Sequence, residues 1–356
     1  MCNTVNLEDL YISPSASLVE ALNRLDRTAK KILLVVDEDD RLLGTLSDGD
    51  VRRCILREGD LGTAVAHAYN AHPVTVQRSR MASTQTLMDE KAVVAIPVIS
   101  EDGVVLDCVF RDGGNLRKRH KPEVDYPVIM MAGGLGSRLY PYTKILPKPL
   151  IPVNDVPIAE RIIDRFYDEG CRRFILVVNY KREMIKAYFR DLNKEYSVEF
   201  VDEEVFLGTG GGLKLVEDHI AGPFILTNCD ILIDTNIAEA IGFHEENGFA
   251  VTILASLKNY TIPYGTIEID AGGSLVGMRE KPNLSFLINT GCYIVNKEVL
   301  DFIGHNEEIG FPDVILRCQA AGLKAGVYPM SEGSWLDMGQ FDELRHMAEV
   351  LDAPNV

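Results

Sequence analysis

The sequence predicts an α/β protein of two domains, in which a doubly wound, mainly parallel sheet follows a smaller α/β domain built from a repeat. Three observations carry this reading. From Val128 onward short apolar runs alternate with amphipathic stretches, the pattern of strands covered by helices on both faces. Residues 1 to about 116 hold two related copies of one strand–turn–strand pattern, and such a period marks stacked units. Between the two regions the chain turns to charge and proline in Arg117-Lys-Arg-His-Lys-Pro-Glu-Val-Asp-Tyr-Pro127, the composition of a boundary. A length of 356 residues supplies material for two cores.

In order along the chain, Ile32-Leu-Leu-Val-Val-Asp-Glu-Asp-Asp-Arg-Leu-Leu-Gly-Thr-Leu-Ser-Asp-Gly-Asp50 is echoed by Ile96-Pro-Val-Ile-Ser-Glu-Asp-Gly-Val-Val-Leu-Asp-Cys-Val-Phe-Arg-Asp-Gly-Gly114. Each copy reads as strand, acidic turn, strand, and a helical stretch precedes each (Leu18–Thr28 and Ser83–Glu90). One copy alone cannot bury both faces of so small a sheet, so the two are expected to pack as a pseudo-symmetric unit. The boundaries expected are 1–120 for this domain, 121–127 for a solvated linker and 128–356 for the second domain. Within the second, Val128–Met131 suits a buried strand. Ile158–Glu169 is an amphipathic helix stopped by Gly170, and Phe174–Asn179 is the next strand. Phe224–Asp230 is a further strand, Asn236–Asn247 a helix and Ala250–Ala255 a third strand after it. Ligands of such a sheet lie at the carboxyl ends of its strands.

Composition bounds the function. The hydrophobic share of 46% and charged share of 25% are those of a soluble globular protein. A net charge of −17 argues against nucleic acid as a partner, because a phosphate backbone needs a basic face. No run is long enough to span a membrane, and the N-terminus lacks a basic-then-apolar signal pattern; a cytoplasmic protein without membrane contact is expected. The cysteines at 2, 54, 108, 171, 229, 292 and 318 are scattered and form no C-x-x-C pair. Buried reduced thiols are expected rather than disulfides or a zinc site.

The most informative stretch is Ala132-Gly-Gly-Leu-Gly-Ser-Arg-Leu-Tyr-Pro-Tyr-Thr-Lys-Ile-Leu-Pro-Lys-Pro-Leu150. A strand opening into Gly133, Gly134, Gly136 and Ser137 presents bare backbone amides to an anion, and Arg138 and Lys148 are placed to neutralise it. The lysine sits between Pro147 and Pro149, unlike a Walker lysine followed by Ser or Thr. This stretch resembles the signature of the sugar-1-phosphate nucleotidyltransferases, the NDP-sugar pyrophosphorylases, and further landmarks of that family follow in order across residues 128–345. The resemblance implies a Rossmann-like sheet and a reaction in which a sugar 1-phosphate attacks the α-phosphorus of a nucleoside triphosphate. It implies that Ala132, Gly133, Gly134, Gly136 and Ser137 wrap the phosphates, that Arg138 holds the leaving pyrophosphate, and that Lys148 bridges toward the α-phosphate.

The same resemblance assigns magnesium to Asp230 (in Leu226-Thr-Asn-Cys-Asp230) and Asp337 (in Trp335-Leu-Asp-Met-Gly339), hard oxygen ligands that only the fold can unite. Leu207-Gly-Thr-Gly-Gly-Gly-Leu213 looks like the segment that lies against base and ribose, with Gly208 and Thr209 as contacts. Phe206 stands where proline is usual, and the three successive glycines are read as a feature that could alter base selection. Gly265, Glu280 and Asn289 are assigned to the sugar hydroxyls and Lys281 to the sugar phosphate.

The N-terminal repeat resembles a pair of CBS motifs. Ser47 and Asp50 are then a hydroxyl and a carboxylate suited to the ribose of an adenine or guanine nucleotide. The second copy has Phe110 or Arg111, depending on alignment, for the hydroxyl, and Gly113 or Gly114 for the acid. A dimerisation module without ligand is the alternative reading, and a homo-oligomer is expected. No hexapeptide repeats follow Gly339, so a bifunctional acetyltransferase–uridylyltransferase is not expected. Chains joining a CBS pair to this domain resemble guanylyltransferases of surface-sugar pathways, the glucosamine-1-phosphate enzyme of legionaminic acid synthesis among them. That favours GTP over UTP, dTTP or CTP. Two other classes remain, a non-catalytic regulatory subunit and a nucleotide-sensing module. The retention of Arg138, Lys148, Asp230, Lys281 and Asp337 argues against the first.

Overall fold

A computed structural model describes residues 7–28, 30–58, 60, 62–77, 84–91, 93–110, 123–330 and 332–352. Cys2, the basic run 117–121 and the positions Arg111, Gly113 and Gly114 lie outside the described residues. The chain divides into two compact units. One comprises Met1–Asn115, Ser256–Ile288 and Pro329–Gly333; the other comprises Leu116–Ala255, Asn289–Tyr328 and Ser334–Val356. No helix among the described residues is long and apolar enough to cross a membrane.

The first unit contains the repeat. Its first copy runs β1 (Tyr11–Ile12), α1 (Leu18–Thr28), β2 (Ile32–Val36), β3 (Leu42–Ser47) and α2 (Asp48–Glu58). The second runs β4 (Val76–Gln77), α3 (Thr84–Lys91), β5 (Ala95–Ile99) and β6 (Val105–Phe110). In both, the first strand pairs parallel with the second and the second antiparallel with the third, with matching irregularities at Val35/Val36 and Val98/Ile99. Ser47 pairs with Ile32 as Phe110 pairs with Ala95, so Phe110, not Arg111, stands in the place of the hydroxyl.

The unbroken apolar run of β2 follows from burial on both faces. Leu33 and Val35 pack with Leu18, Leu22, Leu46 and Val51 beneath α1 and α2. Ile32, Leu34 and Val36 pack with Ala95, Val105 and Cys108 of the second copy. Leu42 N–H donates to Gly103 at 2.9 Å and Val105 N–H to Asp40 at 3.0 Å, which joins the copies as the repeat predicts. Ser256–Ile288 adds the ribbon of β15 (Thr266–Ile269) and β16 (Leu275–Arg279), and Leu257 is buried in the core of α1 and α2.

The second unit holds, in chain order, β7 (Val128–Ala132), α4 (Tyr142–Ile145), the short ribbon β8 (Pro152–Val153) and β9 (Val156–Pro157), α5 (Ile158–Asp168) and β10 (Arg173–Val178). Next come α6 (Arg182–Asp191), β11 (Ser197–Asp202), α7 (Gly208–Lys214), β12 (Phe224–Asn228), β13 (Ile231–Ile233) and α8 (Ile237–Asn247). It closes with β14 (Val251–Thr261), β17 (Asn283–Val295), α9 (Phe311–Ala320), β18 (Ala325–Met330), β19 (Trp335–Asp337) and α10 (Phe341–Asp352), some of these running into segments of the first unit.

The central sheet has the order β11-β10-β7-β12-β17-β14-β18. The strands β11, β10, β7 and β12 are mutually parallel, and β17 joins β12 antiparallel. The order therefore reverses between β7 and β12. A doubly wound sheet opens a crevice at the carboxyl ends of the strands where that happens. Several local readings differ from the sequence expectation in their ends, most of all the strand expected over Ala250–Ala255, which is β14 and runs on to Thr261. β12 stops at Asn228, and Cys229-Asp230 form a turn into β13. Asn236 caps α8 by accepting the Glu239 N–H at 3.2 Å rather than lying in it.

Candidate active site

The loop after β7 enters the crevice at the switch point. A Cβ on Gly133 would lie 2.5 Å from Glu203 Oε2, so the backbone there passes directly over a carboxylate. Gly136 has φ +65°, a conformation that favours glycine, and a Cβ on it would lie 2.8 Å from Thr143 Cγ2. Thr143, fully buried, donates from Oγ1 to the Gly136 carbonyl at 2.9 Å. The short helix α4 is gripped in turn from the end of β10. Lys181 Nζ donates to the Lys144 and Ile145 carbonyls at 2.5 and 2.7 Å, and Tyr180 to Thr143 O at 3.3 Å.

This scaffold delivers Lys148. Its ammonium forms a buried ion pair with Asp230, the side chain projected by the turn after β12; the two residues are 9% and 8% exposed. Asp337 is brought alongside by the β13–β19 ribbon, in which Ile231 pairs with Asp337 while Met338 N–H donates to the Asp230 carbonyl at 2.8 Å. Burial, with the negative charges of Asp230 and Glu343, raises the pKa of Asp337, against the Gly339 N–H it accepts at 2.9 Å. The buried thiol of Cys229 is pushed up to about 12 by burial and by Asp230, which makes it inert packing. All six described cysteines are buried and free.

Two adjoining cavities meet at Asp230. The first is lined by Gly133, Gly134, Gly136, Ser137, Arg138, Lys148, Gly208 and Thr209, with Glu203 and Asp230. Ala132 lies buried at the end of β7, just behind it. The second shares Arg138, Thr209, Asn228 and Asp230, and adds Asn289, Trp335 and Asp337. The buried indole nitrogen of Trp335 has no hydrogen-bond partner. The second unit thus assembles eight side chains and loop positions expected from residues 133–209, together with Asp230, Asn289 and Asp337, in one crevice.

Other expected residues lie elsewhere. Gly265, Glu280 and Lys281 belong to the first unit, where a Cβ on Gly265 would lie 2.9 Å from Glu280 Oε2 and Lys281 adopts φ +44° at the base of the β15–β16 ribbon. Ser47 and Asp50 are together at the start of α2, but as a reciprocal cap. Ser47 N–H and Oγ donate to Asp50 Oδ2 at 2.8 and 2.6 Å, and Arg53 donates to Oδ1 at 2.6 Å. The Ser-x-x-acid spacing itself signals such a cap.

The run of glycines in α7 serves packing. Cβ atoms on Gly208 and Gly210 would meet the Ile309 carbonyl at 2.6 and 3.0 Å, one on Gly211 would overlap the Glu307 carbonyl, and one on Gly212 would lie 2.8 Å from Glu203 Oε1. Sequence reasoning passed over Glu203. It is 2% exposed, its Oε1 accepts the Leu207 N–H at 2.9 Å, and burial raises its pKa against that bond. Within Asp202-Glu203-Glu204 it reads as one more solvated charge; only its position just before the glycine segment hints otherwise.

Comparison with known proteins finds two family models along the chain. A family model described as nucleotidyl transferase matches residues 127–353, and a CBS domain model matches residues 5–57. Mannose-1-phosphate guanyltransferase of Candida albicans is 33% identical over 226 residues, covering 60% of each chain. UTP–glucose-1-phosphate uridylyltransferase of Synechocystis is 30% identical over 232 residues, again 60% of each. The chain thus spans about three-fifths of the length of these curated relatives. The crystal structure of HddC from Yersinia pseudotuberculosis superposes with a TM-score of 0.51 at 25% identity, over 64% of this chain and 100% of that one. A putative glucose-1-phosphate thymidylyltransferase from Bacillus anthracis shares the fold, with a TM-score of 0.52 at 20% identity over 65% and 97% of the two chains.

Proposed function

The chain belongs to the nucleotidyl transferase family, and we propose that it transfers a nucleoside monophosphate to a sugar 1-phosphate. An oxygen of the sugar phosphate attacks the α-phosphorus. The new P–O bond forms as the bond from that phosphorus to the β-phosphate oxygen breaks, and pyrophosphate leaves. The observation that carries this reading is the buried Lys148–Asp230 pair in the cavity of the glycine loop, with Asp337 across the ribbon. No covalent intermediate is needed, so the protein positions two anions and neutralises their charge. In this reading the amides of Gly133 to Ser137 and the side chain of Arg138 hold the β- and γ-phosphates. Lys148 turns from Asp230 toward the α-phosphate, and Asn289 with the free Trp335 N–H receives the sugar.

Asp230 and Asp337 fit a magnesium ion, the cation this family generally uses. No group of three acidic, histidine or cysteine residues among the described residues could hold a metal alone, and Mg²⁺ takes one or two carboxylates and completes its shell with water and substrate phosphates. Burial first, and then the charges of Asp230 and Glu343, raise the pKa of Asp337, and a cation between the two aspartates would offset the second of these. Bound there, the ion supplies Lewis-acid polarisation of the α-phosphate and screening between the anions.

We assign GTP as the donor because chains that join a CBS pair to this domain resemble guanylyltransferases, with Glu203, which lines the glycine-loop cavity while one of its oxygens accepts the Leu207 N–H, as the candidate carboxylate for guanine. Guanine alone among the bases presents two adjacent donors, N1–H and the N2 amino group, which a carboxylate accepts together. Uracil and thymine offer one N–H flanked by carbonyls that a carboxylate repels. One relative named above is a guanyltransferase and another a uridylyltransferase, so the family leaves both open. The test is a matrix of four nucleoside triphosphates against a panel of sugar 1-phosphates, read by pyrophosphate release, for the parent and Glu203→Gln. The parent should prefer GTP. The variant keeps an oxygen for the Leu207 amide but should lose about 1–3 kcal/mol of discrimination, the worth of one bidentate contact to a base. A parent that prefers UTP or dTTP overturns the assignment. Residues 1–120 are proposed as a regulatory module binding an adenine or guanine nucleotide, to be tested by ligand binding to the parent and Asp50→Ala.

A further inference from the structure

Three consecutive residues just before the glycine segment meet three different surroundings. Val205 is exposed to solvent, Leu207 is buried, and Phe206, half-exposed, lines the glycine-loop cavity. The backbone on both sides of Phe206 is held. Glu203 N–H donates to the Val178 carbonyl at 2.9 Å, and the Glu203 carbonyl accepts from Asn179 Nδ2 at 2.8 Å. Leu207 N–H donates to Glu203 Oε1 at 2.9 Å, while the Leu207 carbonyl accepts the Ile309 N–H at 2.9 Å. The side chain of Glu203 thus closes the turn that carries Phe206, and a braced backbone presents the ring to the cavity. Phe311, on the adjoining cavity, meets the Tyr293 ring edge-on at 4.8 Å, whereas Phe206 makes no ring contact among the described residues.

The division of the crevice decides what the ring can meet. One end of the first cavity is marked by Gly133 to Ser137, Arg138 and Lys148. That end suits phosphates, and an anion gains nothing from the negative face of an aromatic ring. The second cavity, which receives the sugar in the proposed reaction, does not include Phe206. What remains is the end of the first cavity lined by Glu203, Phe206, Gly208 and Thr209. The part of a nucleoside triphosphate left for it is the base. A base is flat and apolar on its faces and polar at its edge, and this end offers an aromatic face beside a carboxylate.

We propose that the Phe206 ring stacks on the nucleobase, beside the carboxylate of Glu203. The inference rests on the nucleotidyl-transfer reading but not on the choice of GTP, because every base has a π-face. The position departs from the family resemblance, in which proline is usual and offers no such face.

Calorimetric titration of the full-length chain tests it, with the nucleoside triphosphate the parent prefers and with inorganic tripolyphosphate, which lacks a base. Phe206→Ala should bind the nucleotide about tenfold more weakly, the scale of one lost stack, and tripolyphosphate as the parent does. Phe206→Trp should retain nucleotide affinity, and its added indole emission should be quenched by the nucleotide but not by tripolyphosphate. An alanine variant that binds the nucleotide as tightly as the parent overturns the stack and leaves nucleotidyl transfer standing. One that loses tripolyphosphate to the same degree overturns it too, since the ring would then be shaping the phosphate loop. A parent that binds no nucleoside triphosphate fails the proposed function itself, and the stack with it.

Discussion

Lys148 and Asp230 are both about nine-tenths buried and neutralise one another. Removing one member of such a pair strands the other charge, at a cost of about 3–5 kcal/mol. Asp230→Ala should therefore lose stability of that order in denaturant unfolding. Asp230→Asn, which leaves an oxygen for the ammonium to donate to, should lose less. Turnover should fall by roughly 10²-fold or more in both, since either change removes the proposed cation ligand; parent-like turnover in Asp230→Asn would take Asp230 out of the chemistry. Residue identity here was legible because Gly133, Gly134, Gly136, Arg138 and Lys148 lie in one short stretch whose local backbone already makes an anion cradle. Asp337 was readable only by resemblance, since the β13–β19 pairing that seats it beside Asp230 leaves no trace in local spacing. Glu203 was legible only through its place just before the glycine segment, because its burial comes from Gly133 and Gly212 passing over it, and those lie on separate elements.

At the scale of elements, the glycines separate into two kinds. A Cβ on Gly211 would overlap the Glu307 carbonyl, whereas one on Gly134 would meet nothing within 4 Å. Gly211→Ala should cost about 1–3 kcal/mol, the price of forcing an extra carbon into a packed interior. Gly134→Ala should leave unfolding nearly unchanged and show its effect in the KM for the nucleotide. If Gly211→Ala folds as stably as the parent, α7 is not packed on the Glu307–Ile309 backbone. The helix α8 supplies a pH dependence. His244 lies on it, 2% exposed, between Thr252 Oγ1 at 2.8 Å and Asn296 Oδ1 at 3.1 Å, and burial lowers its pKa from 6.5 although the Asn296 contact opposes this. The unfolded chain then takes up the proton first, so stability from this group is complete above about pH 6.5 and is lost as pH falls below it. Urea unfolding across this range should show that acidic slope in the parent and a flatter one in His244→Gln. The helices α1 and α5 were readable from apolar period and, for α5, from Gly170 after it. The handover from β12 to β13 was not, because the turn at Cys229-Asp230 has no Gly or Pro to mark it and the apolar run resumes at once in Ile231.

On the scale of the molecule, the compact units do not follow the chain in two blocks. The composition shift at 121–127 is real in sequence, but Ser256–Ile288 and Pro329–Gly333 group with the N-terminal repeat. Leu257 is 1% exposed among Ile12, Leu18, Leu22 and Val51; Asn259 Nδ2 donates to Asn23 Oδ1 at 2.8 Å; and the Gly333 N–H donates to Asp26 Oδ1 at 3.3 Å. Such pairings join residues more than two hundred positions apart and have no local signature, which is why periodicity and composition missed them. Under the proposed function they carry a consequence, because the same segment holds Gly265 and Glu280, which the family resemblance assigns to sugar hydroxyls, and Lys281, which it assigns to the sugar phosphate. A fragment of residues 123–356 keeps the glycine loop, Lys148, Asp230 and their own core, but strips the cover from Leu257. That fragment should bind nucleoside triphosphate with affinity close to the parent's. Its KM for sugar 1-phosphate should rise about tenfold or more, which corresponds to ~1.4 kcal/mol. Leu257→Ser in the full-length chain should move the same KM in the same direction by a smaller factor. Equal losses at both substrates would mean general unfolding, and an unchanged sugar-phosphate KM in the soluble fragment would show that the N-terminal repeat gives the sugar-end residues no support.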